Sequence, residues 1–418
     1  MRKSSHSRSR LSILFLVAFV LCFLSNIDLT TSSSSSLDMK MIQQLQQFII
    51  DCTSPDGSLS VWKDKVDVNT YHSNFAILGL ARAMSTTGTT TASVYAWNWF
   101  RWFVSHQSNS TGYITDYTRA SSAFAWSSTN DMDSTDSYAA LFIMAVASVY
   151  AVDKNYTTNQ IMPGVRNSVK AMQSTMQNGL TWAKPNYHIK YLMDQSEVYA
   201  GFKSCEYLAK VINDTSLANT CSSAASGMIE LVNQYMWSTS NFNYNYGLGD
   251  SDVVTPSNWT ILYPDAASQL WPAAFNFPLN KSTNALCSTF LKYHPNWKYP
   301  NAKDYLPTLM NVNYEMTPCG YALISCGLDV SDAVSSIWSA ANASNLAYPF
   351  HCGTAGELIL LATGGYSTPV YQNVGPTSST PYVYKSSSKT ISGSSSQHLS
   401  PTIIFYLLLF STLSIFIA

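Results

Sequence analysis

Apolar residues recur every three or four positions through most of the chain, the spacing of one face of an α-helix. From Met39 to Ile50 the stripe is Met41, Ile42, Leu45, Phe48 and Ile49, and Ser54-Pro55-Asp56-Gly57 ends it in a turn. The same pattern predicts helices over Tyr71–Met84, Thr91–His106, Thr135–Val152, Ile161–Met176, Ile189–Ile212 and Leu217–Trp237. Shorter helices are expected over Asp265–Phe275, Ser282–Tyr293, Lys303–Cys326, Ser331–Ala341 and Gly353–Thr363, about twelve in all. Between them a weak rhythm recurs: Asp56-Gly57-Ser58-Leu59, Thr111-Gly112-Tyr113-Ile114, Asn178-Gly179-Leu180-Thr181 and Asn245-Tyr246-Gly247-Leu248 each set a glycine beside an apolar or aromatic residue after a helix. Such a repeat builds stacked helical hairpins. A straight solenoid and a closed ring both satisfy it. The ring is preferred, because about six hairpins in a circle bury their terminal faces without capping repeats.

Composition narrows the class. The chain has 418 residues, only 11% of them charged and 13% aromatic, with a net charge of −1. A neutral surface gives no electrostatic handle on nucleic acid. Ser, Thr and Asn replace charge, as in a secreted glycoprotein. Arg2, Lys3, Arg8 and Arg10 precede the uncharged run Leu11–Leu24, a signal-peptide pattern that places the leader at 1–31. At the other end, 366–394 is a Ser/Thr/Pro-rich stalk. Ser392-Gly393-Ser394, the spacer Ser395–Pro401 and the apolar Ile403–Ala418 follow the order of a glycolipid (GPI) anchor signal. Ser392 is the expected attachment residue, with 395–418 removed. The protein is then expected at the outer leaflet of the plasma membrane, on its extracellular face; a C-terminal membrane-spanning helix is the alternative. Asn109, Asn155, Asn213, Asn258, Asn280 and Asn342 all head Asn-x-Ser/Thr sequons. Seven cysteines remain once Cys22 leaves with the leader, so at least one stays outside an intramolecular pair; Cys205 and Cys221 are spaced to staple two successive helices. No cofactor is expected: there is no phosphate loop, no Gly-x-Ser-x-Gly elbow and no Cys/His pattern for zinc. The oligomeric state is not legible.

Carboxylates are then the available chemistry. Asp194 and Glu197, three apart on one helix, share a face, and Trp182, Tyr187 and Tyr191 lie just upstream. Flat rings beside paired acids suit a sugar cleft, with rings for stacking and acids for proton transfer. The competing reading solvates both acids or pairs them with Lys190 and Lys203. In Asp131-Met132-Asp133-Ser134-Thr135-Asp136, Asp133 is read as a helix N-cap, while Asp136 heads a strongly apolar helix, with Trp126 upstream as a sugar platform. Asp265 follows Tyr263-Pro264 and precedes Trp271, and is either an N-cap or a cleft acid. Tyr71, His72 and Asn74 open the second helix, where His72 and Asn74 read as rim hydrogen-bonding groups. Glu315 and Glu357 read as core or surface.

The stretches TYHSNFAILGLARA from Thr70, TNDMDSTDSYAALFIMAV from Thr129, GLTWAKPNYHIKYLMDQSEVYAG from Gly179 and YPDAASQLWPAAF from Tyr263 resemble the six-hairpin glycosidase superfamily over roughly 37–365. The resemblance implies an all-α (α/α)6 toroid with short loop or β-hairpin decorations. It implies hydrolysis of glycosidic bonds, mostly with inversion, at a cleft on one rim. The candidate catalytic residues are Asp136, Asp194, Glu197 and Asp265. The candidate substrate contacts are Tyr71, His72, Trp126, Asp133, Trp182, Tyr187, Tyr191, Tyr263 and Trp271. Inversion needs the two carboxyls about 6.5–9.5 Å apart, retention about 5–5.5 Å. Asp194 and Glu197 would be one catalyst and its helper, partnered from another helix by Asp136 or Asp265. Two rivals stand beside a hydrolase of neutral glycans: an inactive carbohydrate-binding or adhesion module on the same ring, and a polysaccharide lyase.

Overall fold

The structure, a computed structural model, describes residues 34–154, 160–303, 312–314 and 316–366. The leader, 367–394 of the stalk with Ser392, the anchor signal, Asn155 and Glu315 lie outside them, while Tyr366, read as the first stalk residue, is buried against Phe275.

Twelve α-helices occur among the described residues: α1 (Ser34–Asp51), α2 (Thr70–Thr87), α3 (Ser93–His106), α4 (Thr135–Val152), α5 (Met162–Ser174), α6 (Leu192–Val211), α7 (Thr215–Leu231), α8 (Trp271–Ala274), α9 (Thr283–Tyr293), α10 (Cys319–Ser325), α11 (Ser331–Ala343) and α12 (Cys352–Ala362). The even-numbered helices close a ring, α2 on α4, α4 on α6, α6 on α8, α8 on α10, α10 on α12, and α12 back on α2. The odd-numbered ones lie outside it: α1 packs on α2 and α12, α3 on α2 and α4, α5 on α4 and α6, α7 on α6, and α11 on α12. Composition explains the division. Helix α4 is apolar all round, and every residue from Thr135 to Val149 is buried. A helix with no polar face is stable only when surrounded. Helix α5 keeps Arg166, Asn167 and Lys170 away from its buried stripe of Val165, Val169 and Met172, and sits outside.

The ring closes at close quarters. A Cβ on Gly79 of α2 would stand 2.3 Å from the Cα of Gly356 in α12, and one on Gly356 would stand 2.2 Å from the carbonyl oxygen of Phe75. Arg82 fastens the far ends, donating from Nη1 to the Thr363 carbonyl (3.0 Å) and from Nη2 to that of Gly365 (3.1 Å). A disulfide joins Cys205 of α6 to Cys221 of α7, as their spacing suggested, and a second joins Cys287 of α9 to Cys326 at the end of α10. Cys52, Cys319 and Cys352 are buried thiols.

Three expected helices change at their ends. Ile189–Tyr191 is a strand, antiparallel to Gly247–Gly249 with Tyr191 opposite Gly247, so the helix begins only at Leu192. Asp265–Phe275 resolves into a π-turn over Leu262–Ala266 and the single α-turn of α8, which starts one residue before Pro272. The helix read over Lys303–Cys326 is α-helical only from Cys319 to Ser325 among the described residues.

Candidate active site

The six inner helices bring their first turns to one mouth of the ring. A cavity of about 290 Å³ there is lined by Tyr71 and His72 from α2, Tyr138 from α4, Asp194 from α6, Trp271 from α8, Pro318 at the start of α10, and Thr354 and Glu357 from α12. A second space, of about 490 Å³, lies beside it among Lys184, Tyr187, Tyr191, Tyr246 and Pro264. Asp133, Ser134, Met193, Asp194 and Tyr263 line both.

Asp194 is therefore the acid at the junction, half-buried in the first turn of α6. Burial raises its pKa well above the usual carboxylate range, and the negative charges of Asp136, Glu197 and Asp133 push the same way. Ser134 connects two of these groups. Its Oγ lies 2.7 Å from Asp136 Oδ1 and 3.3 Å from Asp194 Oδ2. One hydroxyl has one proton to give, so a proton on Asp194 lets both contacts be hydrogen bonds.

Asp136 itself does not line either cavity. It is fully buried and accepts from Thr181 Oγ1 (2.6 Å) and the backbone N–H of Ser137 (2.9 Å) as well as from Ser134. Burial pushes its pKa up to about 7 against those three donors. Glu197, one turn below Asp194, is also behind the wall: its Oε1 accepts from Tyr71 Oη (2.8 Å) and Trp271 Nε1 (2.9 Å), and burial raises its pKa while those donors oppose the rise. It fixes two rings that do line the cavity. Asp265 sits off the cavities as well, accepting from the Asn258 N–H (2.7 Å) and holding the loop before Tyr263. Of the four candidate acids, Asp194 alone lines the cavities.

Asp133 is not the N-cap of α4; Ser134 holds that position, and the exposed Asp133 lines both cavities. Tyr71, His72, Tyr187, Tyr191, Tyr263 and Trp271 are at the cavities as read from sequence. Trp126 and Trp182 are not. Trp126 donates to Asp56 (2.9 Å) beneath the Arg119 guanidinium, and Trp182 stacks on His188 at 3.7 Å. The lysines offered as surface partners are also elsewhere, since Lys190 is buried and Lys203 pairs with Glu206.

The structure adds a second wall. His351, the N-cap of α12, accepts from the Thr354 N–H at Nδ1 (3.2 Å) and reaches Thr354 Oγ1 from Nε2 (3.2 Å). His72 lies against it, ring centroids 4.1 Å apart. Burial pushes the His72 pKa down to about 4; burial and then the neighbouring His72 hold His351 well below its usual range, so both rings are neutral at pH 7. Glu357, read from sequence as core or surface, lines the smaller cavity one turn further on. The signal for this wall was positional. Once α12 is an inner helix, its first turns belong to the mouth, as those of α2 and α6 do. Below it, Asp116 accepts from Asn69 Nδ2 (3.1 Å) and Tyr138 Oη (3.2 Å), fixing two more lining residues. Among the described residues no cluster of three metal-ligating side chains occurs. Asn109, Asn213, Asn258, Asn280 and Asn342 are all exposed.

No protein-family model and no curated protein matches the sequence. Solved structures do match the fold. They include a glycosidase in complex with glucose, 11% identical over 79% of this chain and 98% of that one (TM-score 0.54). D-mannose isomerase is 12% identical over 79% and 97% (TM-score 0.50). An α-mannanase of glycoside hydrolase family 76 from Bacteroides thetaiotaomicron is 11% identical over 79% and 96% (TM-score 0.49). The chain thus has the (α/α)6 toroid fold of these solved structures.

Proposed function

We propose that the protein is a glycoside hydrolase acting on a neutral glycan. The observation that carries this reading is Asp194, a carboxyl at the junction of two ring-mouth spaces beside Tyr71, Tyr263 and Trp271, whose pKa burial raises well above the usual carboxylate range. A protonated acid among flat apolar faces is what departure of a glycosidic oxygen requires. The glycosidase neighbours, one holding glucose, support a carbohydrate ligand.

Glu357 is the second carboxyl of the mechanism. Helices α6 and α12 are three places apart either way around the six-membered inner ring, so their side chains enter the cavity from opposite walls. Asp133 belongs to the same wall as Asp194, where its charge helps hold the Asp194 proton in place. Asp194 gives its proton to the leaving oxygen as the bond from that oxygen to the anomeric carbon breaks. Glu357 takes a proton from a water that attacks the same carbon from the other side, which inverts the configuration. The sequence supports the setting: leader, sequons and tail suit a secreted protein held at the outer leaflet by a glycolipid.

Asp194→Asn and Glu357→Gln, compared with wild type on a panel of neutral oligosaccharides, are expected to lose roughly two to four powers of ten in turnover with little change in melting temperature. Wild-type turnover in both variants would end the assignment. A second reading, aldose–ketose isomerisation of a free sugar, is favoured by the neutral His72–His351 pair in the same cavity. It predicts ketose formation from free aldoses by an enzyme that leaves every glycosidic bond intact.

A further inference from the structure

The two cavities meet at Asp194 but differ in their walls. The larger lies among loop residues, and its Tyr187 is 48% exposed. The smaller receives residues from the first turns of all six inner helices, so the ring surrounds it. A polymer lying through a groove needs an exit at each end; a space encircled by six helices has one mouth. The wall facing Asp194 is closed by α12 and by the His72–His351 pair. His351 is held at both ring nitrogens by Thr354. The His72 side chain itself lines the smaller cavity.

We infer that the smaller cavity takes the single non-reducing terminal sugar of a neutral glycan, packed against His72, and that the tyrosine-lined space takes the next sugar. The inference rests on the hydrolase reading for its reaction and deepens it. Asp194, at the junction, protonates the oxygen joining the two sugars, and the water that replaces that oxygen on the terminal sugar leaves a free monosaccharide. The enzyme then works from chain ends and does not cut internal bonds.

Neutral gluco-, manno- and galacto-oligosaccharides carrying a fluorophore on the reducing end test this on the full chain. The expected products are labelled chains shortened by one sugar at a time, with free monosaccharide in the earliest sample. Labelled fragments of several lengths in that sample overturn the inference while the hydrolase reading stands. Should no chain be cut, the hydrolase reading fails, and binding decides the subsite. Glucose, mannose and galactose are then titrated calorimetrically into wild type and His72→Ala, with His72→Gln in its place if the alanine variant does not fold. Binding of one sugar to wild type, weakened about tenfold in the variant, supports the subsite. No binding of any of the three, or equal binding by wild type and variant, overturns it.

Discussion

Asp194 and Asp136 lie on either side of one hydroxyl, Ser134 Oγ, and that arrangement sets how the protein should respond to pH. With Asp194 as the proposed acid, kcat/KM is expected to fall as pH rises through its raised pKa, with a limb absent from Asp194→Asn; the same limb in Asp194→Asn would remove its role. Stability moves in the same direction for a separate reason. The Asp136 carboxyl rises from 3.8 to about 7 on folding, so between those values the folded protein binds the proton more tightly than the unfolded chain. The stabilisation from that proton is complete below the unfolded value and is lost as pH climbs through the folded one. The melting temperature is expected to be higher near pH 5 than near pH 8, and Asp136→Asn, which keeps the shape without the charge, should flatten the difference. An unchanged slope in that variant would assign the dependence to other groups. The sequence made Asp194 and Glu197 a pair through their spacing. Spacing does not say which of two neighbours ends in the cavity and which ends behind its wall; that depends on Tyr71 and Trp271 arriving from α2 and α8 to claim Glu197.

Helices α2 and α12 show why the ring closes where it does. Gly356 has no room for a side chain, because a Cβ would lie 2.2 Å from the Phe75 carbonyl oxygen and 2.7 Å from the Ala76 Cα. Gly→Ala inside a helix ordinarily gains about 1 kcal/mol, while forcing a group into packed backbone costs about 1–3 kcal/mol or more. At Gly356 the second effect wins, since the obstacle is backbone and has nowhere to rotate. Gly356→Ala is expected to lower the melting temperature and also kcat/KM, because His72 and Glu357 ride on the two helices forced apart. Gly227 is the opposite case: it is exposed in α7 with nothing within 4 Å of its would-be Cβ, so Gly227→Ala should raise the melting temperature and leave activity alone. Equal effects at the two sites would show that the α2–α12 crossing is not tight. Element type was legible here because apolar residues recur every three or four positions along the outer helices α1, α3, α5 and α7 and run almost unbroken through the inner α4. Element ends were not, as at Ile189–Tyr191, where strand pairing with Gly247–Gly249 takes residues whose apolar spacing alone reads as helix.

At the scale of the molecule, the ring was legible because a count of about twelve helices with repeated glycine turns leaves few ways to bury both end faces. The far wall of the site was not. Glu357 and His72 are 285 positions apart, from 357 − 72, and only closure of the ring brings them to one cavity, which no local pattern announces. We propose that the two ends of the chain carry a different kind of message, addressed to the secretory apparatus and independent of the fold. On this proposal Ser392-Gly393-Ser394, a polar spacer and the apolar run Ile403–Ala418 follow the order in which a transamidase substrate is read. The expected outcome is release of the protein from intact cells by a phosphatidylinositol-specific phospholipase, with mass spectrometry finding no peptide from 395–418 in the released form. Deleting 403–418 should send the protein into the medium with its ring and cavity unchanged, because α12 ends at Ala362, well before the tail begins. Retention on the cell after phospholipase, with tail peptides present, would make the tail a spanning helix.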